Sequence, residues 1–169
     1  MLLDINYFNN EDTPSLAYNL IGKFIFRNEN GQINHYMITE VEAYHGLLDK
    51  ASHARFGKTP RNAIMFGKAG YSYIYLCYGV HWLLNIVTGA EGFPAAILIR
   101  GIDKTFGPGR VTRKLNINGS FNGKILAPES ELWIEELDTI PPKVLELPRV
   151  GIDYAEEYRD MPWRFILGS

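Results

Sequence analysis

With one cysteine in 169 residues the chain has no internal disulfide framework, so its stability has to come from a buried core. That cysteine, Cys77, stands between Leu76 and Tyr78 in an apolar stretch and reads as a small buried hydrophobe rather than a nucleophile. Long apolar runs are missing too: Ala95–Ile99 and Val80–Leu84 fall far short of the ~20 residues that span a bilayer. The N-terminus MLLDINYF lacks a basic region ahead of a signal core, so a cytoplasmic protein is expected, nucleoid-associated if the source is prokaryotic, with no membrane contact. The four histidines, at 35, 45, 53 and 81, have neither i,i+4 spacing nor cysteine partners, and no metal site is expected. There is no G-x-S-x-G nucleophile motif, no G-x-G-x-x-G and no Walker sequence.

What is present is a globular composition, 46% apolar, in a length that suits one domain, residues 1–169. The net charge of −2 conceals a segregation. Residues 50–124 carry eleven Lys or Arg against Glu91 and Asp103, a balance of +9, and the remainder carries −11. A basic middle in an otherwise acidic chain is expected where one face meets phosphate; the plainer reading is charge clumped on a solvated surface.

Thr13-Pro14 reads as an N-cap followed by proline at the first helical position, with an apolar stripe over Leu16, Ala17, Leu20 and Ile21 stopped by Gly22. Strands are expected at Lys23–Arg27, Met37–Tyr44, Gly70–Cys77, Val80–Val87, Pro94–Arg100 and Arg164–Leu167, with a turn over Asn28–Gly31. Gly107-Pro108-Gly109 opens a short basic helix from Arg110 to Leu115, Leu132–Leu137 fits strand or helix, and Tyr154–Arg159 fits a turn of helix. Links this short between strands exclude helical crossovers, which predicts an α+β domain: a curved, mainly antiparallel sheet with flanking helices and a protruding hairpin.

Three constellations carry chemistry. On the strand Met37–Tyr44, Glu40, Glu42 and Tyr44 share one face while Thr39, Val41 and Ala43 share the other. Glu40 and Glu42 then have Cα atoms about 6.6 to 6.8 Å apart, a pair that a sugar hydrolase would use, or two solvated acids on an exposed face. In Gly70–Val87, Tyr71, Tyr73 and Tyr75 alternate onto one face, and a two-residue link puts Tyr78 at the hairpin tip. A ring there serves as a wedge between base pairs or lies back on its own sheet. Arg100 ends an apolar strand, where it snorkels to solvent or reaches into a site to hold phosphate or water.

Taken together, Thr39–Gly46, Ala51–Arg55, Thr59–Phe66, Tyr73–Gly79 with Asn85, the strand ending in Arg100, Gly107–Arg110, Arg149–Ile152 and Trp163–Phe165 resemble the alkyladenine (3-methyladenine) DNA glycosylase family, in a short microbial form. The resemblance covers nearly the whole chain. It implies a monomeric, monofunctional enzyme that needs no cofactor, takes double-stranded DNA containing damaged purines as its partner, flips the purine out and hydrolyses its N-glycosidic bond. By position, Glu42 matches the general base and Arg100 the arginine that holds water and phosphate. Tyr44 matches one face of the base pocket, and His53 and Tyr75 match the other. The His53 amide matches a donor to the base edge, Asn85 the residue that crowds the 2-amino group of guanine, and Tyr78 the intercalating wedge. Lys58, Arg61, Lys68, Arg110, Arg113 and Lys114 are the expected backbone contacts. A non-catalytic binder of damaged nucleic acid and a two-carboxylate carbohydrate hydrolase are the competing classes.

Overall fold

In the computed structural model, which describes residues 1–169, Asn30 and Gly31 take positive φ of 53° and 89°, the mirror-image turn that matches the twist of a hairpin. Strands β1 (Phe24–Glu29) and β2 (Gln32–His45) pair antiparallel right up to it, with Glu29 opposite Gln32. Both strands therefore run past the expected ends. A turn of two residues leaves Asn28, Glu29 and residues 32–36 inside the ladder.

The length of β2 organises the molecule. Its first half pairs with β1, and its second half lies between β5 (Ala95–Ile102) and β9 (Arg164–Leu167). Adding β3 (Ser72–Cys77), β4 (His81–Val87) and β7 (Leu132–Glu135) gives the order β3-β4-β5-β2-β1-β7, antiparallel throughout, with β6 (Thr105–Phe106) on β5 and β8 (Val144–Leu147) on β9. The fold is α+β, as expected. Leu132–Leu137 resolves as strand, and β8, hidden in the sequence between Pro142 and Pro148, pairs only with β9.

Helix α1 (Ile5–Phe8) precedes α2 (Thr13–Leu20), which lays Leu16, Ala17 and Leu20 on the same core as Ile38, Val41, Ala43, Ile97 and Ile99. The α2 cap is Asp12, not Thr13: the Asp12 carboxylate accepts from the Ser15 N–H at 3.1 Å, whereas the Thr13 hydroxyl is buried against Thr88 Oγ1 and His45 Nδ1, both at 3.1 Å. Val41 and Ala43 are fully buried, so one face of β2 faces the core and the other, with Glu40, Glu42 and Tyr44, is left for a site. Helix α3 (Pro108–Lys114) packs over β4 and β5 at the edge of that second face. Residues 153–160 form a 3₁₀ segment broken at Glu156, whose φ is 53°.

Candidate active site

Four strands carry one transverse row. Tyr73 is opposite Asn85, Asn85 opposite Leu98, and Leu98 opposite Glu42. Directly paired residues point to the same side of a sheet, so these four side chains form a floor. The floor underlies a cavity of about 680 Å³ that also takes in Tyr44, His53, Tyr75, Tyr78 and Arg100. The expected site residues from five distant stretches of chain thus meet in one place.

Beside Glu42 the β2–β5 register is irregular: Ile38 pairs with Ile102, Glu40 with Gly101 and Val41 with Ile99, so Thr39 and Arg100 drop out of the pairing. Such an irregularity re-aims a side chain. Gly101 permits it, because a Cβ there would come within 2.9 Å of Thr39 Oγ1 and 3.1 Å of Glu40 Cβ. Arg100 turns onto the carboxylates, Nε donating to Glu40 Oε1 at 3.1 Å and one terminal nitrogen to Glu42 Oε1 at 3.5 Å. Arg164 also donates to Glu40 Oε1, at 3.2 Å.

The two glutamates are therefore unlike. Glu40 is held between two guanidiniums, whereas Glu42 is fully buried, accepting from the Val150 N–H at 2.6 Å and from the Tyr44 hydroxyl at 3.0 Å. Burial pushes the Glu42 pKa above the ordinary carboxylate value; Arg100, the Val150 N–H, Tyr44 and Arg149 pull it back in part. A carboxylate made more basic in this way, at the floor of an aromatic cavity, suits proton abstraction from water.

The walls are aromatic. His53 and Tyr75 meet edge to face with ring centroids 4.5 Å apart, and Tyr73 lies behind them, its hydroxyl 3.3 Å from His53 Nδ1. Burial pushes the Tyr73 hydroxyl up to about 12 and raises the Tyr44 and Tyr75 hydroxyls well above their ordinary value, so all three rings remain neutral phenols. Burial, followed by Arg61 and Arg55, holds His53 below its usual pKa. The His53 N–H has no acceptor within the protein. Asn85 is buried on the floor and donates to Tyr73 O at 3.2 Å.

Three expectations about this region are corrected. Tyr71 stands outside β3, bridged to Ile125 and away from the cavity, so only Tyr73 and Tyr75 of the tyrosine alternation reach the site. The hairpin link has three residues, Tyr78-Gly79-Val80, since Cys77 pairs with His81. Tyr78 adopts φ of 51° and is 93% exposed, projecting rather than lying back on its sheet. Cys77 is half-buried on the cavity wall, not a core residue.

The residues sequence reasoning passed over are Asp49 and Arg149. Their side chains are buried and joined as a fork, at 2.6 and 2.9 Å. Asp49 also accepts from the His45 and Ala51 N–H groups, both at 3.0 Å, and Arg149 donates to Ala43 O at 2.9 Å. The pair spans 100 residues of sequence, so neither partner had a local signal. Asp49→Ala, which leaves the Arg149 cation buried and unpaired, is expected to cost about 3–5 kcal/mol of stability in urea unfolding.

The basic candidates divide. Arg110 and Arg113 border the cavity, and Arg61 stands beside it with its guanidinium 5.6 Å from the Tyr75 ring. Lys114 instead reaches the Tyr36 ring, 5.3 Å away on the first half of β2. Lys58 and Lys68 are exposed and do not line the cavity. Lys50, part of the basic stretch, is paired with Glu156 and Glu157.

The chain that builds this geometry, a buried carboxylate under an aromatic slot with an exposed ring on a neighbouring hairpin, is similar in sequence to known proteins. The chain belongs to the methylpurine-DNA glycosylase family, whose family model matches residues 7–169. A relative from Anaeromyxobacter sp. (strain Fw109-5) is 42% identical over 168 residues, covering 95% of this chain and 86% of its own length. One from Chlamydia felis is 38% identical over 188 residues (98% and 96%), and one from Sodalis glossinidius 45% identical over 166 residues (94% and 92%). Each of the three is named "Putative 3-methyladenine DNA glycosylase".

Proposed function

We propose that this protein excises alkylated or deaminated purines from duplex DNA by hydrolysis of the N-glycosidic bond, leaving an abasic site. The observation that carries the proposal is the Glu42 carboxylate: fully buried, raised in basicity and facing an aromatic slot. The flipped base enters between Tyr44 on one side and His53 with Tyr75 on the other, and the free His53 N–H donates to its edge. Asn85 on the floor crowds a 2-amino group, which disfavours guanine. Glu42 takes a proton from water while its charge stabilises the oxocarbenium-like sugar, and Arg100 orients that water and the phosphate. Tyr78 fills the gap in the stack.

No helix is long and apolar enough to cross a membrane, and no group of three or more His, Cys, Asp or Glu side chains is gathered to hold a metal ion. The ion pairs of Glu40 with Arg100 and Arg164 support a counter-ion role for it rather than that of the second acid of a sugar hydrolase. The function is tested by treating alkylated duplex DNA with the protein. Strand breaks should appear only after alkali, and borohydride should trap no covalent adduct. Breaks without alkali, or a trapped adduct, would replace the hydrolase with a lyase.

The pH dependence follows from Glu42. Its folded pKa lies above the ordinary value of 4.5, so the carboxyl is still protonated, and idle as a base, where an ordinary glutamate has ionised. Single-turnover excision should rise with pH through a limb centred above 4.5. A limb at or below that value would remove Glu42 from the role. Binding should weaken steeply with salt, and Arg110→Gln or Arg113→Gln should each reduce the logarithmic salt slope by about 1, equally across DNA sequences. Lys114→Gln, remote from the cavity, should leave the slope nearly unchanged.

A further inference from the structure

The buried Asp49–Arg149 pair is bonded to backbone that leads into both walls of the slot. Asp49 lies midway along the chain between the two walls of the slot. Its carboxylate binds the His45 N–H, next to Tyr44, and the Ala51 N–H, two residues before His53, both at 3.0 Å. The course of residues 45–51, and with it the gap between Tyr44 and His53, is set from one carboxylate. Arg149 extends the frame. Its guanidinium lies 4.9 Å from the Tyr44 ring and 5.0 Å from the Trp163 ring, and it donates to Ala43 O and Tyr158 O. The next residue, Val150, gives its N–H to Glu42 at 2.6 Å.

We propose that Asp49 and Arg149 are positioning residues for base excision: together they fix the width of the slot and the orientation of the Glu42 carboxylate. The inference rests on the reading of Glu42 as the base. Stability alone is a poor reason for such a pair, since apolar residues of similar volume often serve as well in a core. Here every additional bond of the pair ends on the backbone that carries Tyr44, His53 or Glu42, or on the segment that backs them.

The pair is also part of the electrostatic surroundings of Glu42. The other groups facing that carboxylate are Arg100 from β5, Tyr44 from its own strand, Tyr75 from β3 and the Val150 N–H, with Glu40 and Arg164 beyond Arg100. Removing the Asp49 charge leaves the Arg149 cation unbalanced and makes Glu42 easier to ionise. Removing the Arg149 charge does the reverse.

The test is single-turnover excision from alkylated duplex DNA across pH, for wild type, Asp49→Asn, Arg149→Met, Arg149→Lys and Ile134→Ala. The last is a stability control in β7, remote from the cavity. Asp49→Asn should move the acid limb down and Arg149→Met should move it up, each by roughly one pH unit, with the plateau rate about tenfold or more below wild type. Arg149→Lys, which keeps the charge but not the fork, should lose rate with its limb in place. Ile134→Ala should lower the melting temperature without changing rate or limb. If Arg149→Met does not fold, Asp49→Asn with Arg149→Lys carries the test. Folded pair variants with wild-type limbs and rates within about twofold of wild type would overturn the inference and leave Glu42 as base untouched. A wild type that releases no base would instead overturn the function itself.

Discussion

Glu42→Gln is expected to lower the single-turnover rate of base release by about 10²–10⁴-fold, the usual worth of a positioned general base, with affinity for the damaged duplex nearly unchanged. Glutamine has the same shape and still accepts from the Val150 N–H, so the slot keeps its form; what disappears is the proton acceptor and the negative charge opposite the developing sugar cation. Glu40→Gln should remain active, because Glu40 holds Arg100 and Arg164 rather than facing the cavity floor. A reversed pair, with Glu40→Gln dead and Glu42→Gln turning over, would move the catalytic assignment. Stability gives an independent reading. A carboxyl with a raised folded pKa stabilises the protein below its unfolded pKa, and that contribution is lost as pH rises through the folded value. At neutral pH Glu42→Gln should therefore melt higher than wild type.

Tyr78→Ala is expected to reduce excision from a fully paired duplex by roughly 5–150-fold, corresponding to the ~1–3 kcal/mol that base-to-aromatic stacking is worth by alanine substitution. The ring is 93% exposed at the end of a three-residue link, so its removal leaves no internal cavity. Alanine is also as constrained as tyrosine at a φ of 51°, so the comparison is free of backbone relief. Tyr78→Phe should keep most activity, since stacking needs the ring. At a mismatched lesion, where extrusion already costs less, the alanine variant should lose less. The measurement is excision of hypoxanthine, once accepted by wild type, in paired and mismatched duplexes; equal rates for Tyr78→Ala and wild type on both would remove the wedge.

Much of this site was legible in the chain because its parts obey local rules. Strand alternation assigns Glu40, Glu42 and Tyr44 to one face without knowledge of any partner strand, and the buried Val41 and Ala43 confirm the parity. The Asn-Gly turn and the tyrosine-rich hairpin have short-range signatures. What escaped is set at long range. Whether Glu40 or Glu42 lies at the floor depends on an irregular register with β5, and the distinguishing Val150 N–H comes from a segment 108 residues away. Asp49 stands one residue before the basic stretch with no local mark of a role, and its partner Arg149 is 100 residues distant. Thr13 was misread as a cap because its burial against Thr88 is a tertiary contact. The basic stretch overstates the charge available to a ligand, since Lys50 is matched by Glu156 and Glu157 and Lys114 faces Tyr36.

The central claim, that this pocket hydrolyses an alkylated purine from duplex DNA through Glu42, is tested most directly by chromatography of the free bases released from methylated duplex DNA by wild type and by Glu42→Gln. The account predicts methylated purine bases in the wild-type supernatant, one abasic site for each base released, and none above background with Glu42→Gln although it still binds the DNA. Release at the same rate by both proteins, or tight binding without release by the wild type, would contradict it.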